Sequence, residues 1–336
     1  MGFLRSVFPR EFGVDGGAVG VGVGGGSAVV GSRASVSDLP RHLPRWAYSD
    51  GVLLTAERER LFRPAWQVVG HDAEVSKAGD FLTGDLAGER ALVVRDEKGV
   101  LRAFRNACRR RPHALVTART GRFSGVIPCV PHGLSYGFDG KLLHSGADGD
   151  LTPLEIKQKS GLVLVRAAGA QREGGPALTG WEGFAELVPV GVQEIEVAAD
   201  WKLLVEQWLE GAPTDHGRFL APNQLVETWS GGAAVLRVLP TVAGRSRLQR
   251  LEYVAATAKD HASGRKRVGK GAGRAVSERL DTWVAQQIEL AESTQTGLAA
   301  AGDDLIENGP VSAALAEFRG SIAVLLPHLG TGAGST

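Results

Sequence analysis

Apolar residues recur at helical spacing in four stretches of the chain, and short β-like runs fill much of the space between them. Residues 53–62 (LLTAERERLF) carry the first helical pattern, which Pro64 stops. Residues 201–210 (WKLLVEQWLE) place Trp201, Leu204, Val205, Trp208 and Leu209 on one helical face. A longer pattern over 276–298 turns Leu280, Trp283, Val284, Ile288 and Ala291 inward, and a last helix is predicted after Asn308-Gly309-Pro310, ending near Pro327. Between the first two helices, residues 91–94 and 100–104 flank Asp96-Glu97-Lys98-Gly99, a hairpin signal with glycine at the end of the turn. Residues 161–166 (GLVLVR), 234–238 and 250–254 read as further strands.

These patterns divide the chain. Residues 39–64 form an N-terminal helical segment, and 65–168 a loop-rich β domain holding both cysteines. Residues 169–330 form an α+β domain with helices packed on an antiparallel sheet. From 13 to 31, nine of nineteen residues are glycine, so residues 1–38 read as a flexible Gly-rich tail with too little apolar surface for a membrane span.

Composition narrows the function classes. Lys plus Arg is 38 and Asp plus Glu is 37, a net charge of +1, which argues against a nucleic-acid or membrane-surface partner. Six Lys or Arg residues between 259 and 274 read as a solvated loop. Two cysteines exclude a disulfide scaffold, and without a secretory signal the chain reads as cytoplasmic.

The chemistry concentrates in residues 106–142, NACRRRPHALVTARTGRFSGVIPCVPHGLSYGFDGKL. Cys108 and Cys129 lie on separate short loops, and His132 follows Cys129 at C-x-x-H spacing. Soft sulfur and imidazole on tight turns are what a transition-metal site needs. With Tyr136, Asp139 and Gly140 following His132-Gly133, the segment resembles the Rieske non-haem iron oxygenases, specifically their α subunits. The family pattern is C-x-H, then C-x-x-H-G-W-x-Y-x-x-D-G. The resemblance extends to 56–71 (AERERLFRPAWQVVGH), 79–96, 200–211 (DWKLLVEQWLEG), Gln295-Thr296-Gly297-Leu298 and Gly309-Pro310-Val311-Ser312. It implies a Rieske β domain, a helix-grip catalytic domain, trimeric or other oligomeric assembly and a reductase or ferredoxin partner. It also implies a small organic substrate, a [2Fe–2S] cluster and mononuclear Fe(II).

The resemblance also exposes substitutions. It assigns Cys108, Cys129 and His132 to the cluster, with Arg110 in the fourth ligand's place and Leu134 in that of the family's tryptophan. A guanidinium has no lone pair for iron. His113 stands three residues beyond Arg110, and such a shift predicts a surface loop residue rather than a replacement ligand. The mononuclear iron ligands, two histidines and a carboxylate, fall on Pro213, Arg218 and Gln287, with Asp215 and His216 out of phase between the first two. Glu210 matches the family's carboxylate that links this iron to a cluster histidine of a neighbouring subunit. Three readings follow. One is an oxygenase scaffold without hydroxylation chemistry, and another an active oxygenase fed by NAD(P)H. The third is a zinc-binding or regulatory protein in which Cys108, His113, Cys129 and His132 form a Cys2His2 set.

Overall fold

Short alternating runs make the first half of the protein a set of antiparallel hairpins. The computed structural model describes residues 43–143, 149–169, 182–210, 218–229, 231–255, 258–259, 266–267, 274–300 and 312–326. The Gly-rich tail, most of the basic 259–274 segment and Asn308-Gly309-Pro310 lie outside the described residues. Helix α1 (Gly51–Glu57) starts at Asp50, whose carboxylate accepts from the Leu53 N–H at 2.5 Å. The predicted single helix over 53–62 instead changes at Arg58 into one π-helical turn, Arg58–Phe62. Leu61 and Phe62 in that turn are both buried.

Nine strands follow: β1 (Gln67–His71), β2 (Asp80–Asp85), β3 (Arg90–Arg95), β4 (Leu101–Arg105), β5 (Thr120–Arg122), β6 (Ile127–Cys129), β7 (Leu134–Tyr136), β8 (Leu154–Lys159) and β9 (Leu162–Ala167). They form sheets ordered β1-β9-β8 and β4-β3-β2-β5, together with the β6-β7 hairpin. Asp96 stabilises the β3–β4 turn by accepting from the Lys98 and Val100 N–H groups at 3.0 and 2.8 Å.

The second half is one five-stranded antiparallel sheet ordered β10-β14-β13-β12-β11. Its strands are β10 (Leu187–Val197), β11 (Arg218–Leu220), β12 (Gln224–Trp229), β13 (Gly232–Val242) and β14 (Arg245–Ala255), joined by helices α2 (Trp201–Glu210), α3 (Arg274–Ala300) and α4 (Ala313–Ala323). Strand β13 is apolar without interruption from 232 to 236 because both its faces are covered. Ala234, Leu236 and Val238 pack with Trp201, Leu204 and Trp208 of α2 and with side chains of α3 and α4. Ala233 and Val235 pack instead on Trp66, Val68, Leu162 and Leu164 of the first half. The α+β class holds.

Two buried polar systems tie these layers together. Arg237, in the middle of β13, donates to Gln249 Oε1 at 2.7 Å and to Gln67 Oε1 on β1 at 3.3 Å, joining the two halves. Desolvation pulls its pKa down to about 10. Beneath α2, Lys202 Nζ lies 2.8 Å from Glu57 Oε1 and 2.7 Å from Asp200 Oδ1, and the Trp201 indole donates to Glu57 Oε2 at 2.8 Å. Burial raises Glu57; it also opposes the charge on Lys202, but the two carboxylates outweigh that effect and hold the ammonium above its ordinary range.

The first half is acid-sensitive through Asp80 and Asp96. Burial raises both carboxyls, but hydrogen bonds from Arg122 and Lys77 to Asp80, and from Val100, Arg102 and Lys98 to Asp96, carry both below the ordinary value. A carboxyl lowered on folding stabilises the fold above its unfolded pKa, about 3.9, and that contribution fades as pH falls through the folded value. The Asp80→Asn variant is therefore expected to differ most from the natural chain in urea midpoint at pH 6 and to approach it at pH 3. A constant difference across that range would contradict the assignment.

Candidate metal centre

The β6–β7 hairpin fixes the first pair of donors. Cys129 ends β6, the 3-10 turn Val130–His132 follows, and Gly133 reverses the chain at φ +64° so that Leu134 pairs with Cys129. A left-handed φ at that point suits glycine, and the short turn brings the Cys129 and His132 side chains together.

The second pair comes from the loop after β4. Buried Asn106 organises it: its Oδ1 accepts from the Leu115 and Val116 N–H groups at 3.0 and 3.2 Å, and its Nδ2 donates to the Val116 carbonyl at 2.7 Å. The loop doubles back, with the Cys108 N–H donating to the His113 carbonyl at 2.9 Å and the His113 N–H to the Arg111 carbonyl at 2.7 Å. Cys108 and His113 thus stand side by side despite five residues of separation.

Four donor atoms converge there. The sulfurs of Cys108 and Cys129 are 3.2 Å apart, and His113 Nε2 lies 3.3 Å from His132 Nδ1. Cys108 Sγ is 3.2 Å from His132 Nδ1, and Cys129 Sγ is 3.5 Å from His113 Nε2 and 3.6 Å from His132 Nδ1. All four atoms lie within 4.8 Å of one another. The expectation for His113 is corrected. A fixed displacement per residue holds only for an extended loop, and this loop folds back on itself. Arg110 is exposed and is not in the donor group, although its charge still acts on Cys129. Burial, then the neighbouring Cys108, pushes the Cys129 thiol up, while Arg110 and the His132 backbone N–H pull the other way. Leu134 is buried with Ile127, Tyr136 and both cysteines.

The second predicted centre looks different. Glu210 is the exposed last residue of α2, and Arg218 is the half-buried first residue of β11. Pro213, Asp215 and His216 lie outside the described residues. Gln287 is half-buried on α3, where α2 meets it: the Gln207 amide donates to the Gln287 carbonyl at 2.8 Å and accepts from the Ala291 N–H at 3.0 Å. It is the backbone carbonyl of Gln287 that makes this contact. Among the described residues, Cys108, His113, Cys129 and His132 form the one group of three or more His, Cys, Asp or Glu side chains able to hold a metal ion.

Comparison with known proteins agrees with this architecture. Residues 65–155 match the Rieske [2Fe-2S] domain family. The carnitine monooxygenase oxygenase subunit of Escherichia coli (strain K12) is 28% identical over 186 residues, 50% of each chain. The glycine betaine monooxygenase oxygenase subunit of Pseudomonas aeruginosa (strain UCBPP-PA14) is 29% identical over 183 residues, 49% of this chain and 42% of that one. The chain thus spans about half the length of the curated relatives it matches. In fold, the apo quaternary ammonium Rieske monooxygenase CntA superposes with a TM-score of 0.68 at 20% identity, covering 86% of this chain and 96% of that one. Residues 65–155 are thus a Rieske-type domain. Beyond that domain the chain carries the fold of the Rieske oxygenases, and it resembles their α subunits in sequence.

That family implies two metal groups, and the residues present bear on each. Two thiolates and two imidazoles are the donor types of a [2Fe–2S] Rieske centre. Their spacing is not. Such a cluster puts the sulfurs on one iron and the nitrogens on the other, so thiolate and imidazole donors stand roughly 5.5 Å apart or more. Here every such distance is within 4.8 Å. At the second centre, Arg218 offers a guanidinium and Gln287 a neutral amide, neither of them the imidazole or carboxylate that holds mononuclear iron.

Proposed function

We propose that this chain is an oxygenase-type subunit that does not activate O2 in its own C-terminal domain and serves a binding or regulatory role on the family's scaffold. The observation that carries this reading is Gln287, an amide in the carboxylate's place on α3 by the family resemblance, together with Arg218 and Pro213 in the places of the two histidines. The scaffold keeps its fold without iron because its core is apolar, built on Trp201, Leu204, Trp208, Val284 and Phe318. A small organic ligand, assembly with other oxygenase-type subunits and a cytoplasmic setting belong to the same reading. No helix among the described residues is long and apolar enough to cross a membrane. In such an assembly Glu210 would meet a neighbouring chain, and its exposure at the end of α2 supports that reading.

A second reading is an active monooxygenase acting on quaternary amines, favoured by the names of the carnitine and glycine betaine relatives. Anaerobic loading with Fe(II), then reductant, O2 and carnitine or glycine betaine, separates the two. No O2-dependent product is expected from the natural chain. The Pro213→His/Arg218→His/Gln287→Asp variant is expected to retain one more iron per chain. Product formed by the natural chain in proportion to bound iron would overturn the first reading and establish the second.

A further inference from the structure

We infer that Cys108, His113, Cys129 and His132 hold a single tetrahedral divalent ion, zinc by donor chemistry, in place of a two-iron cluster. A tetrahedral ion with bonds of about 2.3 Å to sulfur and 2.05 Å to nitrogen sets S···S near 3.8 Å, S···N near 3.5 Å and N···N near 3.3 Å. The corresponding distances are 3.2 Å between the sulfurs, 3.2, 3.5 and 3.6 Å for three sulfur–nitrogen pairs, and 3.3 Å between the nitrogens. The nitrogen pair and two of the sulfur–nitrogen pairs agree to about 0.1 Å; filling the site would part the sulfurs by about 0.6 Å and the Cys108–His132 pair by about 0.3 Å, and the sixth pair, Cys108 with His113, lies within 4.8 Å. A two-iron cluster would instead need the sulfur pair driven away from the nitrogen pair by roughly an iron–iron separation.

The protonation pattern supports the same assignment. His113 Nδ1 lies 3.0 Å from the Ala114 carbonyl, which can only accept, so Nδ1 carries the proton and Nε2 presents its lone pair to the donor group. A ring N–H held by a backbone carbonyl is the usual support for a metal-bound imidazole. Four protein donors close the coordination shell, the mark of a structural rather than a catalytic ion, and two thiolates balance a divalent charge. A disulfide does not explain the pair, because 3.2 Å is far beyond an S–S bond of about 2.05 Å. The ion would lock the β6–β7 turn to the 106–116 loop, the service a cluster performs in a Rieske domain, without carrying electrons. This inference does not depend on whether the C-terminal domain binds iron.

The test uses the full chain, produced with both iron and zinc supplied and purified without oxygen. One zinc per chain, no acid-labile sulfide and no visible colour are expected. Exchange with Co(II) should give the visible bands of tetrahedral cobalt at one equivalent. His113→Ala should lose both the retained zinc and those bands, whereas Arg110→Ala should keep both. If His113→Ala fails to fold, His113→Cys should retain the ion with a shifted cobalt spectrum. Two irons and two sulfides per chain, a Cys108–Cys129 disulfide, or Co(II) binding unchanged in His113→Ala would overturn the assignment.

Discussion

Replacing Lys202 by methionine is expected to cost about 3–5 kcal/mol of folding stability, the usual penalty for removing one member of a buried ion pair. The ammonium lies 2.8 Å from Glu57 and 2.7 Å from Asp200, and all three side chains are buried. Methionine fills a similar volume, so the loss comes from two carboxylates left facing each other rather than from a cavity. One of them must then take a proton in the folded state. Burial already holds Glu57 above its ordinary range, and losing Lys202 pushes it further in that direction. A carboxyl raised on folding binds its proton more readily folded than unfolded, so the variant should recover part of its stability as pH falls from 8 to 5. Adding Glu57→Gln should restore part of the loss at pH 7 by removing one buried charge. Urea titration at several pH values measures both effects, and a loss under 1 kcal/mol with no pH dependence would contradict the assignment.

The second large effect is expected at Asn106. Its amide makes three hydrogen bonds that close the loop carrying Cys108 and His113. Alanine leaves the Leu115 and Val116 N–H groups and the Val116 carbonyl without that partner, at about 1–3 kcal/mol for each group that water does not reach. The larger consequence falls on the metal. Asn106 touches no donor atom, but it holds His113 beside Cys108, and losing such support typically costs 10–100-fold in metal affinity. Competition with a chelator should show that drop for Asn106→Ala and a smaller one for Asn106→Asp, which keeps the acceptor oxygen. Equal affinity in Asn106→Ala would mean the loop holds its shape without the side chain.

Much of this organisation can be read from the chain itself, and the exceptions have physical causes. Helix α2 occupies residues 201–210 as its apolar spacing predicts, because nearly every turn of it is buried. The strands read at 234–238 and 250–254 extend to Gly232–Val242 and Arg245–Ala255. The start of β14, Arg245–Gln249, is mostly polar, and a hydrophobic pattern passes over it. Arg237 lies inside the predicted run, and only the three-dimensional meeting of β13 with Gln67 and Gln249 explains why a charge is buried there. His113 is another exception. Spacing from Arg110 measures distance along the chain, whereas the Cys108 N–H to His113 carbonyl bond folds that distance away. The His-Ala114 contact and the Asn106 bonds are equally invisible in one dimension.

The most direct test of the proposed loss of the iron triad is the electron paramagnetic resonance spectrum of the full chain, its Cys/His group filled, after anaerobic addition of Fe(II) and then nitric oxide. With Pro213, Arg218 and Gln287 in the ligand places, no high-spin iron–nitrosyl signal is expected above that of free Fe(II), while the Pro213→His/Arg218→His/Gln287→Asp variant should give one. A stoichiometric iron–nitrosyl signal from the natural chain would contradict the loss of the mononuclear centre.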